Sequence, residues 1–451
     1  MMTTLIITIF IVGYVCIAFE NLLKVNKAAF ALLMCVGCWV LFSLGGFADH
    51  TELTHAIERN LGEASTTLFF LMGAMTIVEI IDQHGGVNFV RDTIKCQSKR
   101  KLLWRMAFMT AILSAVLDNL TTSIVMIMIL RKLVDSREDR LIYAAMVIIA
   151  ANSGGAFSPI GDVTTIMLWN GKMISALGVI CEIIIPSFVS FIVPCFILQY
   201  SLNGRHEVAR KYSDVATTEV ARSRRRIVFG VGVGGLCLVP VFHTVTNLPP
   251  FVGILCVLAI LWVTTDVFYR DREEHDTMAK RVTTMLSRID ITTILFFLGI
   301  LMAVGVLAEI GVLQELGIWL DQQTANLGAL QHYTVTGIIG ILSSIVDNVP
   351  LVAGAMKMYA ISTPDMVAAN PLLADFAKDG IFWQLLAYCA GVGGSMLIIG
   401  SAAGVTVMGM EHISFGWYLK KVTWVAFVGY IAGIVCYYLQ NLLLFHGHFA
   451  V

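Results

Sequence analysis

The chain has 451 residues, of which 57% are hydrophobic and only 14% charged, and its formal net charge is −1. About a quarter of the residues in a soluble domain are charged, so this composition excludes an ordinary soluble protein. The balanced charge also excludes a nucleic-acid-binding protein, which would carry a basic surface. Repeated apolar runs of about 20 residues instead predict an all-α polytopic membrane protein.

In chain order, the apolar runs predict ten membrane spans, two of them interrupted: 5–20, 28–47, 64–82, 141–178 (interrupted), 179–200, 227–247, 251–269, 290–311, 381–410 (interrupted) and 422–445. Two further apolar segments, 103–130 and 333–360, each contain an Asp-Asn pair near the middle. A carboxylate at the centre of a bilayer costs roughly 2.5–3.5 kcal/mol on insertion scales, so Asp118 and Asp347 require an explanation.

Basic residues flank the first of these segments on both sides, in 91–105 and in 131–140. Short cytoplasmic loops are the loops enriched in Lys and Arg. Both ends of the segment 103–130 are therefore expected on the cytoplasmic side. We predict a re-entrant hairpin that enters from the cytoplasm and has its tip near Asp118.

The same rule orients the rest of the chain. The basic loops 204–226 and 270–288 are placed in the cytoplasm. The span that follows then delivers the chain to the outside, so the segment 333–360 is predicted to be a second hairpin that enters from outside. Working backwards along the chain, the N-terminus is also predicted to lie outside.

The two halves, 1–225 and 226–451, are predicted to be inverted repeats, each with a hairpin followed by a broken helix (141–178 and 381–410). Three pairs of sequences support this: TTLFFLMGAM with TTILFFLGILM, LSAVLDN with LSSIVDN, and GGAFSPIG with GGSMLIIG. Inverted repeats with helices broken at mid-membrane are typical of secondary transporters. Non-helical backbone is tolerated at that depth only where protein or a water-filled cavity covers it.

The hairpin tips and the broken spans supply carboxylate, amide and hydroxyl oxygens, which are hard ligands suited to a small hard cation. The residues predicted to bind the cation or proton are Asp118, Asn119, Thr121, Asn152, Asp162, Thr164, Thr165, Asp347, Asn348, Ser395 and Ser401. Na⁺ itself is assigned to the two tips, at Asp118, Asn119, Asp347 and Asn348.

No Lys or Arg lies in the hairpin tips or the Gly-rich breaks that contain the three intramembrane aspartates. Their charge is therefore expected to be neutralised by a bound cation or by a proton. Competition between the two for one site produces antiport. Glu79 and Glu309, near the ends of related spans, are predicted to belong to a proton path, and no cofactor or enzymatic activity is expected.

Four stretches, VLDNLTT, ANSGGAFSPIGDVTT, SSIVDNVP and GVGGSMLIIGSAAG, closely resemble the motifs of NhaD-type sodium/proton antiporters in the ion-transporter superfamily. The resemblance extends from about Thr66 to Gly409. It implies exchange of Na⁺, often also Li⁺, for H⁺ across the bacterial inner membrane, and it adds Ser343 to the functional positions. It also implies a homodimer and an elevator-like movement of the site.

Two alternatives remain. A Na⁺-coupled carboxylate or oxyanion carrier of the same superfamily would present neutral or positive groups at the tips, where related dicarboxylate carriers have Ser-Asn-Thr. An intramembrane aspartyl protease would need two aspartates that share a proton. The Tyr-Asp and Gly-x-Gly-Asp motifs of such proteases occur at none of the three aspartates Asp118, Asp162 and Asp347.

Overall fold

A computed structural model describes residues 1–85, 98–202, 219–269, 282–287 and 289–445, together with Ile94, Cys96 and Gly204. Within these ranges the chain is mainly helical, and Ser362 and Ala377 form an isolated bridge. Seven of the described helices are long and apolar enough to cross a membrane. The predicted all-α polytopic fold is therefore confirmed.

The first half begins with α1 (Met2–Ala18), α2 (Glu20–Leu23), α3 (Lys27–Leu44) and α4 (His50–Gln83). The hairpin, the broken helix and the final span of this half are α5 (Lys99–Leu117), α6 (Asn119–Leu133), α7 (Arg137–Ala156), α8 (Val163–Asn170) and α9 (Ala176–Leu198). A 3₁₀ turn, Gln199–Ser201, follows α9.

The second half starts with α10 (Glu219–Thr246), α11 (Pro250–Tyr269), α12 (Val282–Leu286), α13 (Ile291–Glu309) and α14 (Val312–Thr324). Its hairpin, broken helix and last span are α15 (Gln331–Ser343), α16 (Asn348–Met358), α17 (Pro364–Ala369), α18 (Ile381–Gly393), α19 (Ala402–Glu411), α20 (Phe415–Lys421) and α21 (Thr423–Gln440). Short 3₁₀ segments cover Ala325–Leu330 and Pro371–Phe376, and a π turn covers Asn441–Phe445.

The helix α4 is longer than its predicted span of 64–82. It has 34 residues, about 51 Å at the usual rise per residue. Asp49 caps its N-terminus by accepting hydrogen bonds from the backbone N–H groups of Thr51 and Glu52. The charged stretch before residue 64 therefore continues the helix, because Glu and Arg are good helix formers whose side chains can remain in water.

Both Asp-Asn segments form pairs of helices interrupted at the predicted place. In the first, Asp118 alone separates α5 from α6, with a φ of 76°. With its ψ of 158°, this conformation is adopted almost only by glycine, so the backbone at Asp118 is strained. In the second, residues 344–347 separate α15 from α16. Entry and return on one side of a membrane remain predictions for both hairpins.

The two Gly-rich spans are broken as predicted, between α7 and α8 and between α18 and α19. Glycine is required where the broken helices meet the hairpins. A Cβ at Gly154 would lie 2.2 Å from the carbonyl oxygen of Ala111 on α5, and a Cβ at Gly393 would lie 2.2 Å from that of Gly340 on α15. Each glycine therefore allows a hairpin arm to approach its broken helix at backbone distance.

The helices pack in a reciprocal pattern. The first arm of each hairpin packs on the first half of the broken helix in the same repeat, α5 on α7 and α15 on α18. The second arms cross over, so that α6 packs on α19 and α16 on α8. The outer spans also pack between the two halves. In each case a span of one half contacts a span of the other, α3 with α13 and α4 with α11. This arrangement brings the four helix breaks together at the centre of the protein.

The predicted boundary between residues 225 and 226 falls inside α10, which is continuous from Glu219 to Thr246. Most of the basic loops used for the topology, 205–218 and 270–281, lie outside the described residues, as does much of 86–97. The division into two repeats and the orientation of the chain therefore stay predictions.

Candidate functional site

Four helix N-termini meet at the breaks, and a polar side chain caps each one. The caps are Asp118 on α6, Asp162 on α8, Asp347 on α16 and Ser401 on α19, and each accepts a hydrogen bond from a backbone N–H in the first turn of its helix. Short polar side chains are favoured at this position because they satisfy otherwise unpaired N–H groups. Local helix capping thus explains why the aspartates occur at these positions.

Asp162 lies at the centre of the site, where both hairpins reach it. Its Oδ2 accepts a hydrogen bond of 2.8 Å from Nδ2 of Asn119, at the tip of the first hairpin. The Nδ2 of Asn348, at the tip of the second hairpin, lies 3.3 Å from Oδ1 and 3.5 Å from Oδ2. The backbone N–H and the hydroxyl of Thr164 also donate to Oδ1, at 2.9 and 2.8 Å. One buried carboxylate therefore connects both tips with the first broken helix.

Asn152 extends this cluster to the second broken helix. Its Oδ1 accepts from Nδ2 of Asn119 at 3.1 Å, and its Nδ2 donates to the hydroxyl oxygen of Ser401 at 3.0 Å. All of these side chains are buried, and Asp162 is only 1% exposed. We call Asn119, Asn152, Asp162, Asn348 and Ser401 the central cluster.

The carboxylate of Asp118 does not join the central cluster. Its Oδ1 accepts from the backbone N–H of Thr121 at 2.8 Å, and its Oδ2 accepts from the Thr121 hydroxyl at 2.9 Å. Both carboxylate oxygens of Asp118 therefore accept hydrogen bonds from the first turn of α6. Asp118 and Thr121 lie at the edge of the site, and the adjacent Asn119 makes the contact with Asp162.

Asp347 also points away from the central cluster, and it has a cationic partner. The Nζ of Lys27, in the first turn of α3, lies 3.2 Å from Oδ2 of Asp347. The expectation that only a bound cation or a proton neutralises the intramembrane aspartates is therefore wrong for Asp347. Lys27 was missed because it lies 320 residues away in sequence and outside every polar motif.

The remaining predicted site residues have separate contacts. The hydroxyl of Ser343 donates to the carbonyl of Ala390, which ties the second hairpin to α18. The hydroxyl of Ser395 donates to the carbonyl of Val392, within the second break. Thr165 is fully buried, and its hydroxyl oxygen has no hydrogen-bond partner among the residues that the structure describes. Thr165 lies in the first turn of α8, the helix that Asp162 caps.

The two glutamates of the predicted proton path lie apart from the central cluster. Glu79 accepts a hydrogen bond of 2.9 Å from Gln83. Glu309 is paired with Arg59 and accepts a bond of 2.8 Å from Asn60. No hydrogen bond found between described residues joins either glutamate directly to the cluster.

One cavity borders α8 and another borders the second hairpin tip. The larger has a volume of about 540 Å³ and is lined by residues that include Thr67, Met167 and Asn170, with the ion pair between Glu63 and Lys357 on its wall. Met167 and Asn170 lie in the C-terminal half of α8, so this cavity borders the end of the helix opposite to the one that Asp162 caps. The smaller, of about 60 Å³, surrounds the Lys27–Asp347 ion pair.

Within the described ranges, no three His, Cys, Asp or Glu side chains converge closely enough to hold a metal ion. Asp118, Asp162 and Asp347 therefore do not form one multi-carboxylate centre of the kind that suits a strongly bound divalent ion. The central cluster offers one carboxylate surrounded by neutral amide and hydroxyl groups. Such a donor set fits weak binding of a monovalent cation that must also be released.

The helical bundle and this buried polar centre define a multi-pass membrane transporter. A family described as "Citrate transporter" (CitMHS) matches residues 14–377. "Sodium/proton antiporter 2" of Arabidopsis thaliana is 43% identical, over 95% of this chain and 97% of the relative. "Sodium/proton antiporter 1" of the same plant is 44% identical, over 95% of this chain and 71% of the relative.

"Na(+)/H(+) antiporter NhaD" of Alkalimonas amylolytica is 30% identical, over 98% of this chain and 91% of the relative. The chain therefore belongs to the NhaD-type sodium/proton antiporters of the ion-transporter superfamily. At the level of the family, its activity is the exchange of Na⁺ for H⁺, and it is not an enzyme.

Among solved structures, the YdaH transporter of Alcanivorax borkumensis resembles this chain with a TM-score of 0.57. The alignment covers 92% of this chain and 98% of that transporter. The sequences are only 13% identical, so the likeness concerns the fold alone.

Proposed function

We propose that this protein exchanges Na⁺, and also Li⁺, for H⁺ at the central cluster, with Asp162 as the group that binds cation and proton alternately. The observation that carries the proposal is the meeting of both hairpin tips, through Asn119 and Asn348, at one buried carboxylate. A site touched by both hairpins is exposed to one side or the other as the hairpins move.

The amide side chains explain how one cluster serves two ligands. As they lie here, Asn119 and Asn348 direct N–H groups at Asp162. An amide also carries an acceptor oxygen, and a half-turn of its terminal bond exchanges the two. We propose that Na⁺ binds between Asp162 and the turned amide oxygens, with the unpaired hydroxyl oxygen of Thr165 as a further ligand.

Competition then couples the two fluxes. A buried carboxylate without a counter-charge is costly, so Asp162 is occupied either by the cation or by a proton as the protein changes conformation. Binding of one excludes the other, which is the condition for antiport. Asp118 and Asp347 stand at the rims of the site, where their negative charge attracts cations and repels anions.

The Na⁺-coupled carboxylate carrier remains the competing function, and the description of the matching family as a citrate transporter favours it. Lys27 places a positive charge near the second tip, as such a carrier would require. Against it, the side chain that both tips contact is itself a carboxylate, Asp162, which would repel an organic anion. We therefore favour cation exchange.

Several wider features are also proposed. The two halves act as inverted repeats, with hairpins entering from opposite sides and the N-terminus outside.

The cavity beside α8 is the access route from one side, and Glu79 and Glu309 assist proton transfer. The protein acts as a homodimer that moves the site by an elevator-like motion in a bacterial inner membrane; the Arabidopsis relatives make a plant membrane the alternative location.

The test uses the purified protein in liposomes that contain a pH-sensitive dye and carry an imposed pH gradient. Na⁺, Li⁺, K⁺ and citrate are added separately across a range of pH. The proposal expects the gradient to be dissipated by Na⁺ and Li⁺, with an apparent affinity that weakens as the pH falls, because protons compete for Asp162. Uptake of labelled citrate that depends on Na⁺, without cation-driven proton release, would establish the carboxylate carrier instead.

A further inference from the structure

The second hairpin tip carries an ion pair that the first lacks. Lys27 Nζ lies 3.2 Å from Asp347 Oδ2, and the two side chains are 26% and 13% exposed. Asp118, at the corresponding position of the first tip, forms hydrogen bonds with Thr121 and has no ion pair among the described residues. Helix capping alone does not require the difference, since both aspartates cap a helix.

The surroundings hold the Lys27 ammonium group in place. It lies 4.2 Å from the centre of the Phe296 ring, at the range of a cation–π contact. The backbone N–H of Lys27 donates to Glu20 at 3.0 Å, which fixes the start of α3. Tyr14 and Glu20 line the same small cavity as Lys27 and Asp347. The ammonium group therefore lies between a carboxylate and an aromatic ring, both of which attract a cation.

Asp347 is directly followed by Asn348, the residue that reaches Asp162. A group that binds Asp347 therefore acts on the position of the second tip in the cation site. We propose that Lys27 is a tethered competitor of the transported cation: its ammonium group neutralises Asp347 until Na⁺ reaches the tip, is displaced when Na⁺ binds, and promotes release of Na⁺ when it pairs with Asp347 again.

This inference rests on the proposed function, and it predicts opposite effects on affinity and turnover. Removing the competitor in Lys27→Met is expected to lower the KM for Na⁺ about tenfold, the value of a partly buried ion pair worth about 1.4 kcal/mol. The maximal rate is expected to fall because release becomes slower. Lys27→Arg keeps the charge and is expected to stay near the wild-type KM.

The experiment measures Na⁺-driven proton release in liposomes at constant pH for the wild type, both Lys27 variants and Lys24→Met. Lys24 is an exposed charge three residues earlier, so its replacement controls for the loss of surface charge. A lower KM with a lower maximal rate in Lys27→Met alone supports the proposal. An unchanged or higher KM in Lys27→Met overturns it, as does an equal fall of KM in Lys24→Met.

The two proposals fail in different ways. If the wild-type protein exchanges Na⁺ for H⁺ but Lys27→Met leaves its KM unchanged, only the role of Lys27 is wrong. If the wild-type protein does not exchange these ions, the proposed function itself is wrong. If Lys27→Met inserts poorly, binding of Na⁺ to the detergent-solubilised Lys27→Arg and Lys27→Gln proteins by calorimetry decides the question: only Gln should bind more tightly than wild type.

Discussion

The substitution Asp162→Asn tests the centre of the site with little disturbance of the fold. Asn caps helices about as well as Asp, so α8 should still begin at residue 163. The change removes one negative charge and retains one acceptor oxygen. Loss of exchange in a folded variant therefore shows that the Asp162 carboxylate is required.

The expected loss follows from the geometry of the site. Asn119 Nδ2 lies 2.8 Å from the Asp162 carboxylate, and a cation in that position would lie within about 4 Å of the negative charge. Two unit charges at about 4 Å interact by about 4 kcal/mol at an effective dielectric constant of about 20. This corresponds to about a thousandfold in affinity, so the variant should show no exchange at ordinary Na⁺ concentrations.

The assay is Na⁺-driven proton release in liposomes, with Asp290→Asn as a matched control. Asp290 caps α13 in the same way, since the backbone N–H of Thr293 donates to its Oδ1 at 3.1 Å, but it lies outside the central cluster. The control should exchange normally. Exchange by Asp162→Asn with a KM within about threefold of wild type, a difference below 1 kcal/mol, would refute the central role of the carboxylate.

Three further predictions address the rest of the protein. Gly154→Ala places a methyl group 2.2 Å from a backbone oxygen and should destabilise the protein by about 2 kcal/mol, measured as a lower thermal midpoint in detergent. Gly409 has open space around it, so Gly409→Ala should leave the midpoint nearly unchanged. Equal shifts of the midpoint in the two variants would contradict the packing argument. Glu79→Gln should shift the pH profile of exchange without abolishing it, whereas complete loss would place Glu79 in the site itself. Cysteines at the exposed positions Asp135 and Thr363, in a background without native cysteines, should react with impermeant reagents from opposite sides of the membrane; labelling of both from one side would rule out the inverted topology.

The positions of the breaks were predictable because their causes are local. Gly-rich sequence and Asp-Asn pairs interrupt apolar runs, and the interruption is visible in the sequence alone. The two Gly-rich repeats also place Asp162 and Ser401 at equivalent positions, a correspondence that the sequence analysis did not use. Asp162 and Ser401 each follow the last glycine of their Gly-Gly-x5-Gly elements. In the structure they cap corresponding helices and are linked through Asn119 and Asn152.

The direction of each carboxylate was not predictable from the same patterns. Sequence symmetry suggests that Asp118 and Asp347 face each other, but the first bonds with its own helix and the second with Lys27. These choices depend on side-chain conformation and on a residue 320 positions away. The pattern of apolar and polar residues predicts how deep a side chain lies in the membrane, but it does not predict which neighbouring side chain it contacts.

The convergence of four helix breaks has a consequence for the evolution of substrate charge. Each break presents one helix N-terminus and one C-terminus, whose partial charges of about +0.5 and −0.5 nearly cancel. The backbone at the centre of the fold is therefore almost neutral, and the sign of the local field depends on the capping side chains. Ser, Asn and Asp cap helices almost equally well, so exchanging them changes the field while the scaffold stays folded. Three capping positions, Asp118, Asp162 and Asp347, are thus enough for one architecture to give rise to carriers of ions of opposite charge.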